Sequence, residues 1–491
     1  SLHPLFGDLS FAKQQQAIIP HPKGLRKIVL ATSIAETSLT IEGITAVVDS
    51  GYSRVPRFDP RSGLTRLETV PVTKDAADQR AGRAGRLGPG VCYRLWSEGT
   101  HASLAPNRTP EILEADLAPL ILELSQWGVK DIAELTWITV PPPGAINQAK
   151  DLLHELEALE NNLITDRGKK MLKLPTHPRI AHMLLEAVAE NTNTAGSAAT
   201  DIAALLEERD PLPKESGADL ALRIEVLRRW RSGERVSVDR SVLERIEKLA
   251  ASWRKLLHLP VDNAAVSDKE IGKLIRAAYP ERIARQMEKH SERYKLVNGR
   301  IVKLPQHDPL TRETWLAVAQ LDAGGGGEGK IFQAAPLDEQ DLLDHAVEKE
   351  KVTWDDDRGM IVAYQEKRIG SLLLSAKQIN IISEEKRIQI LCDMLRGQGL
   401  KILGWQEKLE PWQARVMSLK QWRKDEDWPG VSDESLLENL ETWLAPFLAN
   451  IGKRTELQKL DPVPVLSSFL PWEKNNKLDA LAPERLPVPS G

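Results

Sequence analysis

Two short runs constrain the fold more than any other feature. RKIVLAT (Arg26–Thr32) and ITAVVDSG (Ile44–Gly51) are apolar and β-rich, and a helical stretch, Phe11–Ile19, precedes the first. Strands that alternate with helices predict a parallel sheet joined by crossovers. Between Val55 and Val72, FDPRSGLTRLETVPV predicts a hairpin, with turn chemistry at Asp59–Gly63. GVCYRLW follows as a final strand, so residues 1–104 are expected to form one α/β lobe carrying a β-hairpin at 55–72.

The pattern then changes. In residues 105–175, PEILEADLAPLILELSQWGV is helical, and Ile146, Ala149, Leu152, Leu156 and Leu159 form one apolar stripe. A short turn and LITDRGKKMLKLP follow, and two helices with a small β-element predict a winged helix. Residues 176–290 are helical throughout and predict a bundle. Residues 291–376 are strand-rich, with the hairpin signal Asn298-Gly299 between RYKLV and RIVKL. TWLAVAQLD and KIFQAAPLD, a helix over Leu337–Glu348, then KVTW and MIVAYQ predict one OB-like β-barrel interrupted by that helix. Residues 377–491 are mainly helical, and Trp405, Trp412, Trp422, Trp428, Trp443 and Trp472 are expected in a core or on a partner-docking surface.

A chain of 491 residues has room for several such domains. An apolar fraction of 41% and a charged fraction of 28% describe a soluble globular protein, with no apolar run of membrane-spanning length and no signal peptide. Cys92 and Cys392, far apart, argue for a reducing compartment and against a disulfide framework or zinc site. The net charge of -4 hides basic stretches at 222–256 and 276–303 and an acidic one at 338–358. Local basic surfaces fit nucleic-acid contact, and equally fit solvated helix faces. The chain opens at Ser1 with sequence that reads like the inside of a domain and closes as abruptly, so it is expected to be part of a longer protein.

The chemistry concentrates in DQRAGRAGRLGPG (Asp78–Gly90). Arg80, Arg83 and Arg86 recur every three residues, with Gly82 and Gly85 between them. Each glycine costs a helix about 1 kcal/mol against alanine, so local stability does not favour this composition. Glycine lets backbones approach, and arginine binds phosphate oxygens as a charged fork. Guanidinium groups of this kind stabilise a transferring γ-phosphoryl group, and Gln79 beside them suits orienting a water. The plain alternative is a basic helix that binds nothing. About 40 residues earlier, Thr32, Ser33, Glu36, Thr37, Ser38 and Thr40 follow a strand, where hydroxyls and amides form a phosphate cradle. No GxxxxGK[ST] phosphate loop and no DEAH tetrapeptide occurs, and DDDRG at Asp355–Gly359 reads as a β-turn. No metal ligands are expected.

Together these stretches resemble the second RecA-like lobe of a DEAH-box RNA helicase. ATSIAETSLTI is similar to that family's motif V, QRAGRAGR to its motif VI, and VVDSG to the segment between them. GLTRLE, RLGPGVCYRLW and YPERIARQ resemble the bacterial HrpB-type branch. The resemblance implies a multidomain chain: α/β RecA-like lobe, winged helix, helical ratchet bundle, OB-like barrel and a mainly helical C-terminal region. It implies that Arg83 and Arg86 act as arginine fingers on the γ-phosphate and that Gln79 orients the hydrolytic water, with Arg80 structural. Ser38 corresponds to the serine that senses nucleotide state, with Thr40 beside it. Thr32 and Ser33 fall where the family touches RNA phosphates, Ser33 standing where asparagine is common. Arg282 and Arg285 begin a basic strip, Arg282–Lys303 with Tyr294, where an OB fold would meet single-stranded RNA.

The implied ligands are ATP with Mg²⁺, and RNA as a single strand or a 3′-overhang duplex, in the bacterial cytoplasm and away from any membrane. An upstream RecA-like lobe of the same parent chain would supply the phosphate loop, so this chain alone is expected to lack ATPase activity. Two other readings stay open: a non-catalytic RNA-binding scaffold, and a single-stranded DNA translocase. Arg223, Arg228, Arg229, Arg231 and Arg235 either line an RNA channel or pair with neighbours such as Glu225 and Glu234. The acidic second helix of the winged-helix segment favours packing over DNA readout, and His177 is expected to be structural.

Overall fold

The computed structural model describes all residues except Asp8, Pro22, 37–40, 60–63, Leu87, 323–326 and 486–491. The chain divides into two compact units, Ser1–Asp338 and Glu339–Gly491.

The first unit begins with parallel pairs. β1 (Leu2–Leu5) leads through α1 (Phe11–Ile18) to β2 (Ile28–Ala31), and the two strands pair with Leu2 opposite Ile28. β3 (Ala46–Asp49) pairs in parallel with β6 (Val91–Arg94), Ala46 opposite Val91. Between them lie the hairpin β4 (Tyr52–Asp59) and β5 (Leu64–Pro71), then α2 (Lys74–Gly82). The expected hairpin turn falls on 60–63, outside the described residues. The Phe58 N–H donates to the carbonyl of Glu114 at 2.6 Å, and Arg57 pairs with both Glu68 and Glu114, which ties the far end of the hairpin to the chain beyond the lobe.

After α3 (Glu98–Ser103) come α4 (Ala118–Gln126), α5 (Pro143–Glu155), the two-stranded β7 (Leu159–Glu160) and β8 (Leu163–Ile164), and α6 (Asp166–Met171). Ile121, Leu122, Leu153, Leu156 and Met171 are buried here. Five helices follow: α7 (Pro178–Ala189), α8 (Asn193–Glu207), α9 (Leu220–Arg231), α10 (Arg240–Leu257) and α11 (Asp268–Ala278). Every residue of α8 from Gly196 to Leu205 is buried, so it is the central helix. Side chains cap the starts of α8, α9, α10 and α11: Thr192, Asp219, Asp239 and a full capping box at Ser267–Glu270. His177 caps α7 and its Nε2 lies 3.1 Å from Asp116, a structural position.

The arginines of α9 turn inward or pair with neighbours. Arg223 is 1% exposed and donates to Asp210 and the Asp219 carbonyl. Arg228 and Arg231 converge on buried Asp201, and exposed Arg229 pairs with Glu225 and Glu234. These contacts favour the pairing reading over a channel lining.

The barrel differs from expectation at both ends. It is closed, in the order β10-β11-β13-β12-β9, from β9 (Ile283–Gln286), β10 (Arg293–Leu296), β11 (Ile301–Lys303), β12 (Trp315–Leu321) and β13 (Gly329–Pro336). It therefore starts before residue 291 and is complete by residue 336. The Asn298-Gly299 turn is as expected, with Gly299 at φ +88°. α11 packs on the barrel through Gly272, where a Cβ would come 1.8 Å from the Pro336 carbonyl oxygen. Tyr294 is 0% exposed, its hydroxyl 2.9 and 2.7 Å from the carbonyls of Leu310 and Glu313, so it is not available to stack on a base.

In the second unit the expected helix shrinks to α12 (Glu339–Leu343). β14 (Val347–Asp355), β15 (Met360–Ile369) and β16 (Leu372–Ile379) form a separate antiparallel meander rather than part of the barrel. Seven helices follow: α13 (Glu384–Gln398), α14 (Gln406–Trp422), α15 (Asp433–Glu438), α16 (Leu440–Trp443), α17 (Arg454–Lys459), α18 (Pro462–Phe469) and α19 (Trp472–Leu481). Trp405, Trp412, Trp428 and Trp443 are in their core, while Trp422 and Trp472 are exposed. Among the described residues no helix is long and apolar enough to cross a membrane.

Candidate nucleotide site

The arginine segment is only partly helical. α2 ends at Gly82, Arg83 is its C-terminal cap, and Arg86 lies beyond it. Three-residue spacing on a continuing helix would fan the arginines apart. The turn after Gly82 instead gathers Gln79, Gly82, Arg83 and Arg86, with Glu36, around one open cleft of about 480 Å³. A Cβ at Gly82 or Gly85 would meet nothing within 4 Å, so no packing inside this chain requires glycine there. Gly82, which lines the cleft, keeps its wall low, as close approach of a polyphosphate requires.

The start of α2 is held from outside the helix. Thr73 makes no side-chain cap, and the N–H groups of Lys74 and Asp75 donate to the carbonyls of Ala105 and Pro106 at 2.9 and 3.1 Å. Two of the helix's orphan donors are thus satisfied by the segment that leaves the lobe. Val72, Ala76 and Ala77 bury the inner face beside Trp96 and Leu104.

Arg80 points inward, as its expected supporting role requires. Its guanidinium donates to Glu36 Oε1 (2.7 Å), Asp49 Oδ1 (2.7 Å), the Tyr52 carbonyl (3.1 Å) and Ser53 Oγ (2.5 Å). Burial works against its charge, but the hydrogen bonds and charges of Glu36 and Asp49 outweigh it and hold its pKa above the ordinary value. Asp49 also fixes the turn after β3 by accepting the Gly51 N–H at 3.0 Å.

Glu36 is the centre of the arrangement. It is 4% exposed and follows the single turn Ser33–Ala35. Oε1 takes Arg80, Oε2 takes Arg108, and its main-chain carbonyl accepts Nε of Arg83 at 3.0 Å and Nη2 of Arg83 as well. The carboxylate is neutralised by two guanidinium groups, so the cleft presents mainly the donors of Gln79, Arg83 and Arg86. That donor set suits an anion. It does not suit Mg²⁺, which takes free oxygen ligands, and no step is assigned to a metal in this chain.

Thr32 and Ser33 are exposed at the end of β2, apart from this cleft's lining. Ser38 and Thr40 lie outside the described residues. Arg282 is 6% exposed, donates to the Ala319 carbonyl at 2.9 Å and to Glu281, and lies 4.0 Å over the Tyr279 ring. Its guanidinium is engaged inside the fold, which corrects its expected place on an RNA surface. Arg285 is half-buried over the Trp315 ring. Sequence reading missed Asp49 and Arg108, and counted Glu36 only as one polar residue among several. Asp49 was visible as the acid at the end of an apolar strand; Arg108, 72 residues from Glu36, had no local signal.

A model of the helicase conserved C-terminal domain matches residues 1–88, and a model of the ATP-dependent helicase C-terminal region matches residues 443–491. The ATP-dependent RNA helicase HrpB of Escherichia coli K12 is 37% identical over 495 aligned residues, covering all of this chain and 58% of that protein. The pre-mRNA-splicing factor ATP-dependent RNA helicase prp22 of Schizosaccharomyces pombe is 39% identical over 187 residues, covering 38% of this chain and 16% of that one. Two crystal structures of E. coli HrpB, each 36% identical, superpose over the full chain with TM-scores of 0.66 and 0.68, and the chain covers 58% and 60% of them. This chain thus spans little more than half the length of the HrpB proteins, and every part of it aligns with them. Along its whole length it is similar to the HrpB-type RNA helicases.

Proposed function

We propose that this chain supplies the second-lobe half of the ATP site, and the RNA-handling domains, of an ATP-dependent RNA helicase working in the bacterial cytoplasm. The observation that carries the reading is the convergence of Gln79, Arg83 and Arg86 on one open cleft whose glycine wall leaves room for a phosphate chain. ATP bound by an upstream RecA-like lobe, with its Mg²⁺, would present the γ-phosphate here. Arg83 and Arg86 then neutralise its oxygens and Gln79 orients the water. Ser38 and Thr40 would sense the nucleotide, and Thr32 and Ser33 would hold the RNA backbone.

The exposed apolar residues of the parallel strands favour such a partner. Ile28, Leu30, Val48, Val91 and Tyr93 are exposed, whereas parallel sheets are ordinarily covered on both faces. The segment 105–175 serves as a winged helix in this reading, α7–α11 as the ratchet bundle, and the closed barrel as the OB-like domain. Arg285, with the exposed Phe332 of β13, is the barrel's RNA contact. The hairpin β4–β5 holds back the duplex.

The test is RNA-stimulated ATP hydrolysis by the full-length protein, wild type beside Arg83→Ala and Arg86→Ala. A loss of roughly 10³-fold or more in each variant is expected of arginine fingers. Unchanged rates, or no hydrolysis by the wild type, would leave the scaffold reading. Salt-dependent binding of matched RNA and DNA strands separates the two strand chemistries. The isolated chain is expected to show no turnover.

A further inference from the structure

The segment that leaves the lobe is fastened to the cleft at three points. The carbonyls of Ala105 and Pro106 accept the first N–H groups of α2, the helix that ends at Arg83. Two residues on, the Arg108 guanidinium donates to Glu36 Oε2. The segment is thus held to α2 by the backbone of Ala105 and Pro106 and to Glu36 by the side chain of Arg108.

The placement matters because of what Glu36 does with its other end. Its carbonyl carries Arg83. The side chain of Glu36 is 4% exposed and that of Arg108 is 45% exposed, so Arg108 covers the carboxylate from the solvent side while Arg80 takes it from within. Without Arg108, a buried carboxylate oxygen loses its cation. The Ser33–Glu36 turn then has one anchor where it had two, and the carbonyl that sets the position of Arg83 is no longer fixed.

We propose that Arg108 is a positioning residue for Arg83, acting through Glu36, and that it ties the geometry of the ATP site to the segment connecting the lobe to the next domain. The proposal rests on the reading of Arg83 as an arginine finger. A shift of that segment on RNA binding would reach the Arg83 guanidinium through two side-chain contacts, Arg108 to Glu36 and the Glu36 carbonyl to Arg83, beside the backbone contacts that tie it to α2.

The test uses the full-length protein with saturating RNA, and four variants: Arg83→Ala, Arg108→Ala, Arg108→Lys and Glu36→Gln, with the double variant Arg108→Ala/Glu36→Gln. Arg108→Ala is expected to lower kcat about tenfold, the size of a contact-mediated coupling. KM for ATP and the affinity for RNA should stay within about twofold, because no ligand is touched. Arg108→Lys should recover most of the rate by restoring the cation. In the Glu36→Gln background the Arg108→Ala loss should disappear. Full activity in Arg108→Ala, no recovery with lysine, or additive losses in the double variant would each overturn the proposal. If Arg108→Ala is active while Arg83→Ala is dead, only the role of Arg108 falls. If Arg83→Ala keeps its rate, the finger reading fails and this proposal with it.

Discussion

Glu36 and Asp201 are both buried acids gripped by arginines, and they stand in opposite surroundings. Asp201, 0% exposed on central α8, takes Arg228 (3.0 Å), Arg231 (2.6 Å) and Arg254 (3.2 Å). Glu247 takes Arg231 and Arg254 from the other side, at 2.6 and 2.5 Å. The guanidinium groups close over the acid and join α8, α9 and α10. At Glu36, Arg80 and Arg108 neutralise the carboxylate, and Arg83, carried by its carbonyl, lines an open cleft with Arg86. The same chemistry serves cohesion in one place and leaves cations facing a cavity in the other. What separates them is whether the arginines end in the fold or at a wall with room beside it.

The comparison predicts different losses. Asp201→Ala should lower stability by about 3–5 kcal/mol, because it takes the carboxylate from buried Arg228 and leaves Arg231 and Arg254 with one acid, Glu247, instead of two. The reading is the urea midpoint of the first unit's transition, and a midpoint within error of wild type would break the comparison. The folded fraction should keep its ATP rate, since Asp201 does not line the cleft. Arg86→Ala should do the reverse, abolishing turnover at an unchanged midpoint.

Local signals in the sequence carried far. β2, β3 and β6 follow from apolar runs flanked by helical sequence, and Asn298-Gly299 marks its turn, whereas β1 and the pairing of β2 with it rather than with β3 had no such signal. The grouping of Gln79, Arg83 and Arg86 could be anticipated from their proximity in sequence, although the helix stops at Gly82 and the turn, not a helix face, gathers them. What failed was long-range. β11 pairs with β13 in parallel across 27 residues, and that closure, not strand content, ends the barrel at Pro336 and leaves β14–β16 to another unit. Arg282 and Tyr294 read as a basic and aromatic strip because composition does not say which way a side chain points. Short strands flanked by helices can turn a guanidinium into the fold when a carbonyl such as that of Ala319 awaits it.

A neutral hub sharpens the scale. Tyr294 is as buried as Asp201, and its hydroxyl accepts from Gln286 Nε2 at 3.1 Å while lying against two carbonyls. Burial, first, and the nearby charge of Glu313 push the phenol's pKa up, so it stays neutral at any physiological pH. Tyr294→Phe removes hydrogen bonds without stranding a charge and should destabilise by about 1–2 kcal/mol, less than Asp201→Ala. Equal losses from the two would mean that packing, not charge, dominates both hubs.

Arg229 supplies the smallest effect and the control. It sits on α9 beside Arg228, yet faces solvent, pairing with Glu234 at 2.8 Å and Glu225 at 3.5 Å. Both partners are hydrated, so each ion keeps its water when the pair is broken, and the side chain regains its rotamer freedom. Arg229→Ala should therefore leave the thermal midpoint within about 1 °C of wild type. The adjacent Arg228→Ala, which exposes Asp201 to a lost partner, should lower it severalfold more. A comparable drop for both neighbours would show that helix charge, not burial, sets the value of an arginine in this bundle, and the contrast between the closed and open acids would lose its physical basis.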